Sequence, residues 1–105
     1  MTLVTERVSI GSAIRSFRDG VTEAIWNLKF VKSIGPDIAK QARVKLQMID
    51  AASNINDLRV PPRNHLEQLK GNRKGQYSIR VNQQFRICFV WSDGGADDVE
   101  FCDYH

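Results

Sequence analysis

Long hydrophobic runs are missing from this sequence of 105 residues. No stretch approaches the ~18 continuous apolar residues that a membrane-spanning helix needs, and the N-terminus lacks the apolar region of a signal peptide. We therefore expect a cytoplasmic protein that makes no contact with a membrane.

Cysteine and histidine are also scarce, with two residues of each type. Cys88 and Cys102 lie in apolar, strand-like contexts and have none of the short spacings that mark zinc sites or redox pairs. They could be combined with His105 around a zinc ion, but nothing in the spacing requires it. No glycine-rich phosphate loop and no serine–histidine–acid set is recognisable either. We expect two reduced packing cysteines and metal-free chemistry without a cofactor.

The charge that is present is unevenly distributed, although the formal net charge of +3 is ordinary for a small protein. Between residues 59 and 86 the single acid is Glu67, and the basic residues are Arg59, Arg63, Lys70, Arg73, Lys74, Arg80 and Arg86. The acids Asp93, Asp97, Asp98, Glu100 and Asp103 follow without any Lys or Arg between them. A basic block of this kind suits a phosphate backbone, and a solvated charged face is the alternative.

With 42% hydrophobic residues, the chain can build one core without disulfides or metals. Residues 1–13 show no convincing period, so we treat them as an N-terminal extension and expect residues 14–105 to form a single domain. Residues 14–17 alternate apolar and polar side chains and predict a short strand. Thr22 is a plausible N-cap for a helix over residues 23–31.

A second helix is predicted from Pro36 to Ala52, because proline is tolerated at the first helical position and Asp37 complements the helix dipole. Its buried stripe is predicted to be Ile38, Ala42, Leu46 and Ile49. Its outward-facing side chains are predicted to be Lys40, Arg43, Lys45 and Gln47. Residues 53–64, with two adjacent prolines, predict an ordered loop.

From His65 onward the pattern has period two and predicts an antiparallel meander. The strands are expected at residues 66–70, 77–82, 85–91 and 99–104. The fold class is therefore α+β, with two N-terminal helices packed on an antiparallel sheet.

Alternation sorts the side chains of these strands onto two faces. The core face is expected to hold Ile79, Val81, Phe85, Ile87, Phe89, Trp91, Val99 and Phe101. The opposite face is expected to hold Ser78, Arg80, Asn82, Arg86, Cys88, Val90, Glu100, Cys102 and Tyr104. This register sets Arg80 opposite Arg86, which costs about 0.2–1 kcal/mol and favours an anion-binding role. The alternative is that either arginine pairs with Glu100 or the terminal carboxylate.

If the anion is RNA, the expected reaction is attack of a ribose 2′-hydroxyl on its own phosphodiester. His105 could be the acid or base, Tyr104 could position the hydroxyl or stack on a base, and Arg80 and Arg86 could neutralise charge. Asp103 is expected to face the core and to anchor the last strand.

Other polar residues have supporting or less certain roles. Lys70, Arg73 and Lys74 would bind flanking phosphates. Glu67 is either a second proton-transfer group or, as we favour, a salt-bridge partner. His65 ranks below His105, because a lone histidine before a strand is more often a loop or packing residue.

Three motifs together resemble a known family: Leu69-Lys70-Gly71-Asn72-Arg73-Lys74-Gly75, then Phe85-Arg86-Ile87-Cys88-Phe89, and the ending Asp103-Tyr104-His105. The combination resembles the HigB-type toxins of the RelE/ParE superfamily over residues 14–105. The resemblance implies a microbial-RNase-like fold with a twisted sheet. It also implies a ribosome-dependent endoribonuclease that cleaves messenger RNA.

The same resemblance implies a HigA-type helix-turn-helix antitoxin, with which the toxin represses its own operon, operator DNA being bound only through the antitoxin. By position, the family's functional residues fall on Arg86, Asp103, Tyr104 and His105, with residues 70–74 as a basic RNA contact. Some members have histidine where Glu67 stands, which puts the second acid or base in doubt. A non-catalytic toxin of the same fold, such as a gyrase inhibitor, or a passive RNA- or protein-binding module is the alternative function.

Overall fold

Two helices pack on a four-stranded antiparallel sheet in the computed structural model, which describes residues 12–73 and 75–103. The helices are α1 (Gly20–Trp26) and α2 (Pro36–Ala51). The strands are β1 (Glu67–Gln68), β2 (Gln76–Arg80), β3 (Phe85–Ser92) and β4 (Gly95–Asp103), in the order β1-β2-β3-β4. The predicted α+β class with two helices before the sheet is confirmed. Within the described ranges, no helix has the length and apolar character needed to cross a membrane.

The long helix α2 supplies most of the helical side of the core. Ala42, Leu46 and Ile49 are fully buried, as the apolar stripe predicts, while Ile38 is half-buried. Ala42, Leu46 and Ile49 form one core cluster with the fully buried sheet residues Ile79, Ile87, Phe89 and Val99. Pro36 is at the start of the helix and Asp37 is in its first turn, so the predicted start is confirmed.

Lys45 is the exception on α2, because it was expected to face outward and only 8% of it is exposed. Its Nζ donates a 2.6 Å hydrogen bond to Oδ1 of the fully buried Asn64. The loop that precedes β1 covers this side of the helix, and Asn64 is fixed there by donating to the Leu58 carbonyl oxygen at 3.2 Å. Burial, together with the nearby Arg63, lowers the pKa of the Lys45 ammonium.

The short helix α1 differs from its prediction at both ends. Asp19, not Thr22, is the N-cap, because its Oδ1 accepts a 2.9 Å hydrogen bond from the Thr22 backbone N–H. Thr22 lies inside the helix and is fully buried. The helix ends at Trp26 rather than at residue 31, since Leu28 takes a left-handed backbone with φ 62°.

Residues 14–17 are extended, as predicted, but they make isolated parallel bridges to β4 rather than a regular strand. Ile14 pairs with Ala96 and Phe17 pairs with Val99. The Arg15 guanidinium fixes the segment by binding Asp97 at 2.8 Å. It crosses Gly95 so closely that a Cβ there would lie 2.6 Å from the guanidinium carbon.

The register between β2 and β3 sets Arg80 opposite Arg86, as predicted. β4 begins at Gly95, four residues before its predicted start at 99, because Asp93 and Gly94, with φ 50° and 73°, form a two-residue hairpin turn. An irregularity then follows, since Cys88 is opposite Glu100 while Val90 is opposite Asp97. The extra residue returns Val99 to the core, where it is fully buried.

β1 is much shorter than the predicted strand over residues 66–70. Only Glu67 and Gln68 pair with β2, opposite Ser78 and Tyr77. A left-handed residue, His65, precedes them, and a 3-10 turn over Gly71–Arg73 follows them. These two turns position Glu67 against the sheet, beside the site described next.

Candidate functional site

The face of the sheet that points away from α2, here called the open face, brings together polar residues from all four strands. Within it we define the open-face cluster as Glu67, Arg73, Ser78, Arg86 and Glu100. The cluster forms because β1, β2, β3 and β4 place Glu67, Ser78, Arg86 and Glu100 at neighbouring ladder positions. The faces predicted from alternation therefore describe this sheet correctly around Ser78 and Arg86.

Arg86 is the most enclosed member, with 5% exposure. Its Nε donates to Ser78 Oγ at 2.8 Å, and its Nη2 donates to the His65 carbonyl oxygen at 2.6 Å and to the Ser78 carbonyl oxygen at 3.3 Å. Nη2 also lies 3.8 Å from Glu67 Oε1. Arg86 is therefore a fixed cation at the floor of the open face, and not a mobile surface side chain.

Glu67 was expected to be a salt-bridge partner, and the cation it pairs with is Arg86. Its side chain is 47% exposed, so the carboxylate stands between the buried guanidinium and solvent. The pairing with Arg86 is compatible with either role considered above, because an exposed carboxylate beside a fixed cation can still exchange a proton with a bound molecule.

Arg80 is opposite Arg86 along the ladder, but its guanidinium turns toward the β2–β3 loop. Its Nε donates to the Asn82 carbonyl oxygen at 3.0 Å. Among the described residues, neither Arg80 nor Arg86 forms the salt bridge with Glu100 that was the alternative, and Glu100 lies beside other cations. The terminal carboxylate, the other partner considered, lies outside the described residues.

The cations beside Glu100 are Arg73 and Arg18, whose nitrogens lie 3.6 and 3.7 Å from Glu100 Oε1. Arg73 also donates to Gln76 Oε1 at 3.0 Å and keeps 44% of its side chain exposed. Lys70 is exposed just before the turn, and Lys74 lies outside the described residues. Sequence reasoning missed Arg18, because it stands far from the basic block in the sequence and is brought beside β4 by its backbone hydrogen bond to the Val99 carbonyl oxygen.

His65 is closer to the cluster than its low ranking suggested. Its left-handed backbone, with φ 46°, points the carbonyl oxygen at Arg86, and the residue is exposed. One feature of the sequence could have placed His65 near the cluster, namely its position two residues before Glu67.

Asp103 lies on the core-side face of the sheet, as alternation predicts, because it pairs with Phe85, but it is exposed at the end of that face and is not buried. The stacked rings of Phe85 and Phe101, 4.7 Å apart, fill that end of the sheet, and Asp103 is exposed opposite Phe85. It does link β4 to the β2–β3 loop, because Oδ2 accepts a 3.1 Å hydrogen bond from Gln84 Nε2. The two residues that follow, Tyr104 and His105, lie outside the described residues.

Cys88 and Cys102 are adjacent on the open face, and both are free thiols. The Cys102 thiol donates to Cys88 Sγ at 3.3 Å. This hydrogen bond lowers the pKa of Cys88 and raises that of Cys102. Among residues 12–73 and 75–103, no group of three or more His, Cys, Asp and Glu side chains could hold a metal ion.

Solved structures share this fold. The structure superposes on a chain of the YoeB–YefM complex from Staphylococcus aureus with a TM-score of 0.58, at 21% identity over 88% of this chain and 97% of that one. A YoeB dimer from the same organism gives a TM-score of 0.55 at 22% identity, covering 90% and 97%. These similarities define the fold as that of YoeB.

Residues 15–105 match the family model described as the RelE-like toxin of type II toxin-antitoxin system HigB. The chain therefore belongs to the HigB family of RelE-like toxins, and the resemblance of its three motifs is confirmed.

Curated relatives agree with this assignment. Toxin HigB-1 of Vibrio cholerae is 56% identical over 52 residues, which cover 50% of this chain and 55% of the relative. An uncharacterized protein of Haemophilus influenzae is 46% identical over 61 residues, covering 58% and 59%. The chain thus spans just over half the length of these two relatives. Endoribonuclease HigB of Proteus vulgaris is 29% identical over 92 residues, covering 88% of this chain and 99% of the relative.

Proposed function

We propose that the chain is the toxin of a type II toxin–antitoxin pair and that it cuts messenger RNA in translating ribosomes. The observation that supports this most directly is the fixed Arg86 cation beneath the exposed Glu67 carboxylate, on a sheet whose last strand is followed in the sequence by Tyr104 and His105. The family and the named Endoribonuclease HigB relative support the same activity.

The proposed reaction joins the ribose 2′-oxygen to the adjacent phosphorus and breaks the bond from phosphorus to the 5′-oxygen. A base takes the 2′-hydroxyl proton, and an acid gives a proton to the leaving 5′-oxygen. Arg86 stabilises the negative charge that develops on the phosphate, and its enclosure makes that interaction stronger than it would be in water.

We assign proton transfer to His105 together with Glu67, and the positioning of the 2′-hydroxyl or a flanking base to Tyr104. Asp103 holds the end of β4 through Gln84. The imidazole of His65 is a further proton-transfer candidate, because the residue is exposed and its backbone is held beside Arg86. No step in this scheme needs a metal ion.

The remaining cations are proposed to bind the RNA backbone. Lys70 and Arg73 are exposed beside the cluster, and Lys74 follows them in the chain. Arg73 and Arg18 share Glu100, so a bound phosphate would compete with that carboxylate for both cations. Arg80 contributes less, because its guanidinium already binds the Asn82 carbonyl oxygen.

The proposed partners are a HigA-type helix-turn-helix antitoxin, the ribosome and messenger RNA. The family description names a toxin–antitoxin system, and the similar YoeB chains include one in complex with YefM, so both support an antitoxin. Joint repression of the operon, with operator DNA bound through the antitoxin, belongs to the same proposal, as does a cytoplasmic location.

The test is a translating extract programmed with a defined message, in which the 5′ ends of RNA fragments are mapped. The intact protein should produce cuts and stop synthesis, and a form lacking Tyr104 and His105 should produce neither. Arrest by both forms without any cuts would replace the nuclease with the non-catalytic alternative.

Glu67→Gln separates the two roles of the carboxylate in the same assay, with Glu23→Gln on α1 as the matched control. Loss of a proton-transfer group should slow cleavage by a factor of about 10²–10⁴. Cleavage at the rate of the control would leave Glu67 as a salt-bridge partner alone.

A further inference from the structure

We infer that an apolar groove on the helical side of the molecule binds an acidic, amphipathic segment of the antitoxin. The inference rests on the proposed function only for the identity of the partner. The groove lies between α2 and residues 28–34, and its volume is about 590 Å³. This is within the range of small binding sites, about 300–1,000 Å³.

The rim of the groove exposes large apolar side chains that the core does not use. Leu28 is 75% exposed, Phe30 is 84% exposed and Val44 is 43% exposed. In the described part of the chain, the further exposed large hydrophobic residues are Val21 and Val60, and neither lines the groove. Clustering of this kind marks a surface that a partner covers.

The floor of the groove is already formed. Ile25 is buried in the core cluster, and Val31 and Ile34 pack against that cluster. The left-handed backbone at Leu28 turns the chain out of α1, so Leu28 and Phe30 stand at the rim instead of continuing a helix. A partner would therefore meet a fixed apolar floor with two projecting side chains.

The charged side chains that line the groove have one sign. Lys29, Lys40 and Arg43 line it, and no acidic residue of the described ranges does. Arg43 is held in place, because its Nε donates to the Trp26 carbonyl oxygen at 3.0 Å and its guanidinium lies 5.3 Å from the centre of the Trp26 ring. Apolar anchors flanked by carboxylates would complement this surface.

This charge pattern argues against two other occupants. A second copy that used the same groove would bring like charges together across a twofold interface. Residues 1–11 of this chain contain one acid, Glu6, beside one base, Arg7, and so offer no net negative charge.

The experiment measures the affinity of purified toxin for its antitoxin, identified as the protein whose co-expression restores growth. Phe30→Asp should weaken binding about 100-fold, as loss of an aromatic anchor does. Lys40→Glu, made as a separate variant, should also weaken binding, and the affinity should then depend less on salt concentration. Val60→Asp is the matched control, since Val60 is 72% exposed outside the groove and should bind as the unmodified protein does.

Growth arrest by each variant is measured in parallel, and circular dichroism checks that each is folded. The Phe30→Asp variant should still arrest growth, but co-expressed antitoxin should no longer restore growth. The affinity measurement does not depend on RNA cleavage, so it can be interpreted even if the nuclease proposal fails. Unchanged affinity for Phe30→Asp, or equal loss for Val60→Asp, would overturn the inference. It would also be overturned if the toxin alone formed a dimer that Phe30→Asp abolished, or if removal of residues 2–11 were what opened the groove to the antitoxin.

Discussion

Arg86 has a structural role as well as its proposed role in cleavage. Its guanidinium binds Ser78 and the His65 carbonyl oxygen, and so joins β2 and β3 to the turn before β1. Replacing it removes hydrogen bonds that involve a buried charge, each of which contributes more than a neutral one. The residue must therefore be tested for stability before its effect on activity is interpreted.

We expect Arg86→Ala to lower the free energy of unfolding by about 3 kcal/mol, because it removes charged hydrogen bonds and the packing of a buried side chain. Arg80→Ala, its opposite neighbour, should cost about 1 kcal/mol, since one hydrogen bond to its own loop is lost. Urea denaturation followed by circular dichroism measures both. Equal midpoints for the two variants would contradict a fixed, enclosed Arg86.

Asp50 is a carboxylate whose charge opposes folding. Burial raises its pKa, although Oδ1 accepts a 3.0 Å hydrogen bond from the Ile14 backbone N–H. It also lies in the last turn of α2, where a negative charge interacts unfavourably with the helix dipole. Asparagine would keep the acceptor and remove the charge.

We therefore expect Asp50→Asn to stabilise the protein at pH 7 by about 0.5 kcal/mol. As pH rises above the unfolded pKa of about 3.9, the unfolded chain releases this proton before the folded protein does, so the wild type loses stability through that window. The advantage of the variant should thus disappear below about pH 4. Thermal unfolding at pH 7 and pH 3.5 measures the change in stability. Asp37→Asn, in the first turn of α2, is the control and should destabilise the protein at pH 7, because a negative charge there is favourable.

At the scale of elements, one threonine connects α1 to β4. The Thr22 hydroxyl donates to Asp19 Oδ1 at 2.6 Å and accepts from the Phe101 backbone N–H at 2.9 Å. The helix cap and the strand next to the proposed catalytic end therefore depend on the same fully buried oxygen.

Thr22→Val keeps the volume but leaves the Phe101 N–H without its acceptor, and should cost about 2 kcal/mol. Thr22→Ser keeps the hydroxyl and loses one methyl group, so about 1 kcal/mol is expected. Chemical denaturation of the two variants gives the comparison. If serine proved the more damaging change, Thr22 would act by packing alone.

The helices show which parts of the fold could be predicted from the sequence. α2 could be predicted because Pro36 and Asp37 mark its start and its buried stripe recurs at helical spacing. The start of α1 could not, because Asp19 and Thr22 are both good caps and only the contact with Phe101 places Thr22 inside. Burial of Lys45 depends on Asn64, nineteen residues away, and no local pattern encodes that contact.

At the scale of the whole molecule, the candidate site was only partly predictable. Strand alternation correctly placed Ser78 and Arg86 on one face, because that face follows from the burial of Ile79 and Ile87 on the other. It did not predict the enclosure of Arg86, which depends on the left-handed turn at His65, or the approach of Arg18 to Glu100. Both depend on how loops close over the sheet.

The two proposed functional surfaces lie on different sides of the protein. α2 packs on the core face of the sheet through Leu46 and Ile49, whereas the groove uses Lys40 and Val44 on another side of the same helix. The open-face cluster lies beyond the sheet. An antitoxin segment in the groove would therefore leave Arg86 and Glu67 uncovered.

We expect a peptide that contains only the groove-binding segment of the antitoxin to bind without stopping cleavage, whereas the intact antitoxin stops it. The reason is steric: under the proposed function, the bulk of the complete antitoxin, and not the segment, would prevent the toxin from entering the ribosome. Fluorescence polarisation shows that the peptide is bound, and mapping of RNA 5′ ends in the translating extract measures cleavage at saturation. Inhibition by the bound peptide alone would mean that the groove is coupled to the open face through α2, and Phe30→Asp should then restore cleavage in its presence.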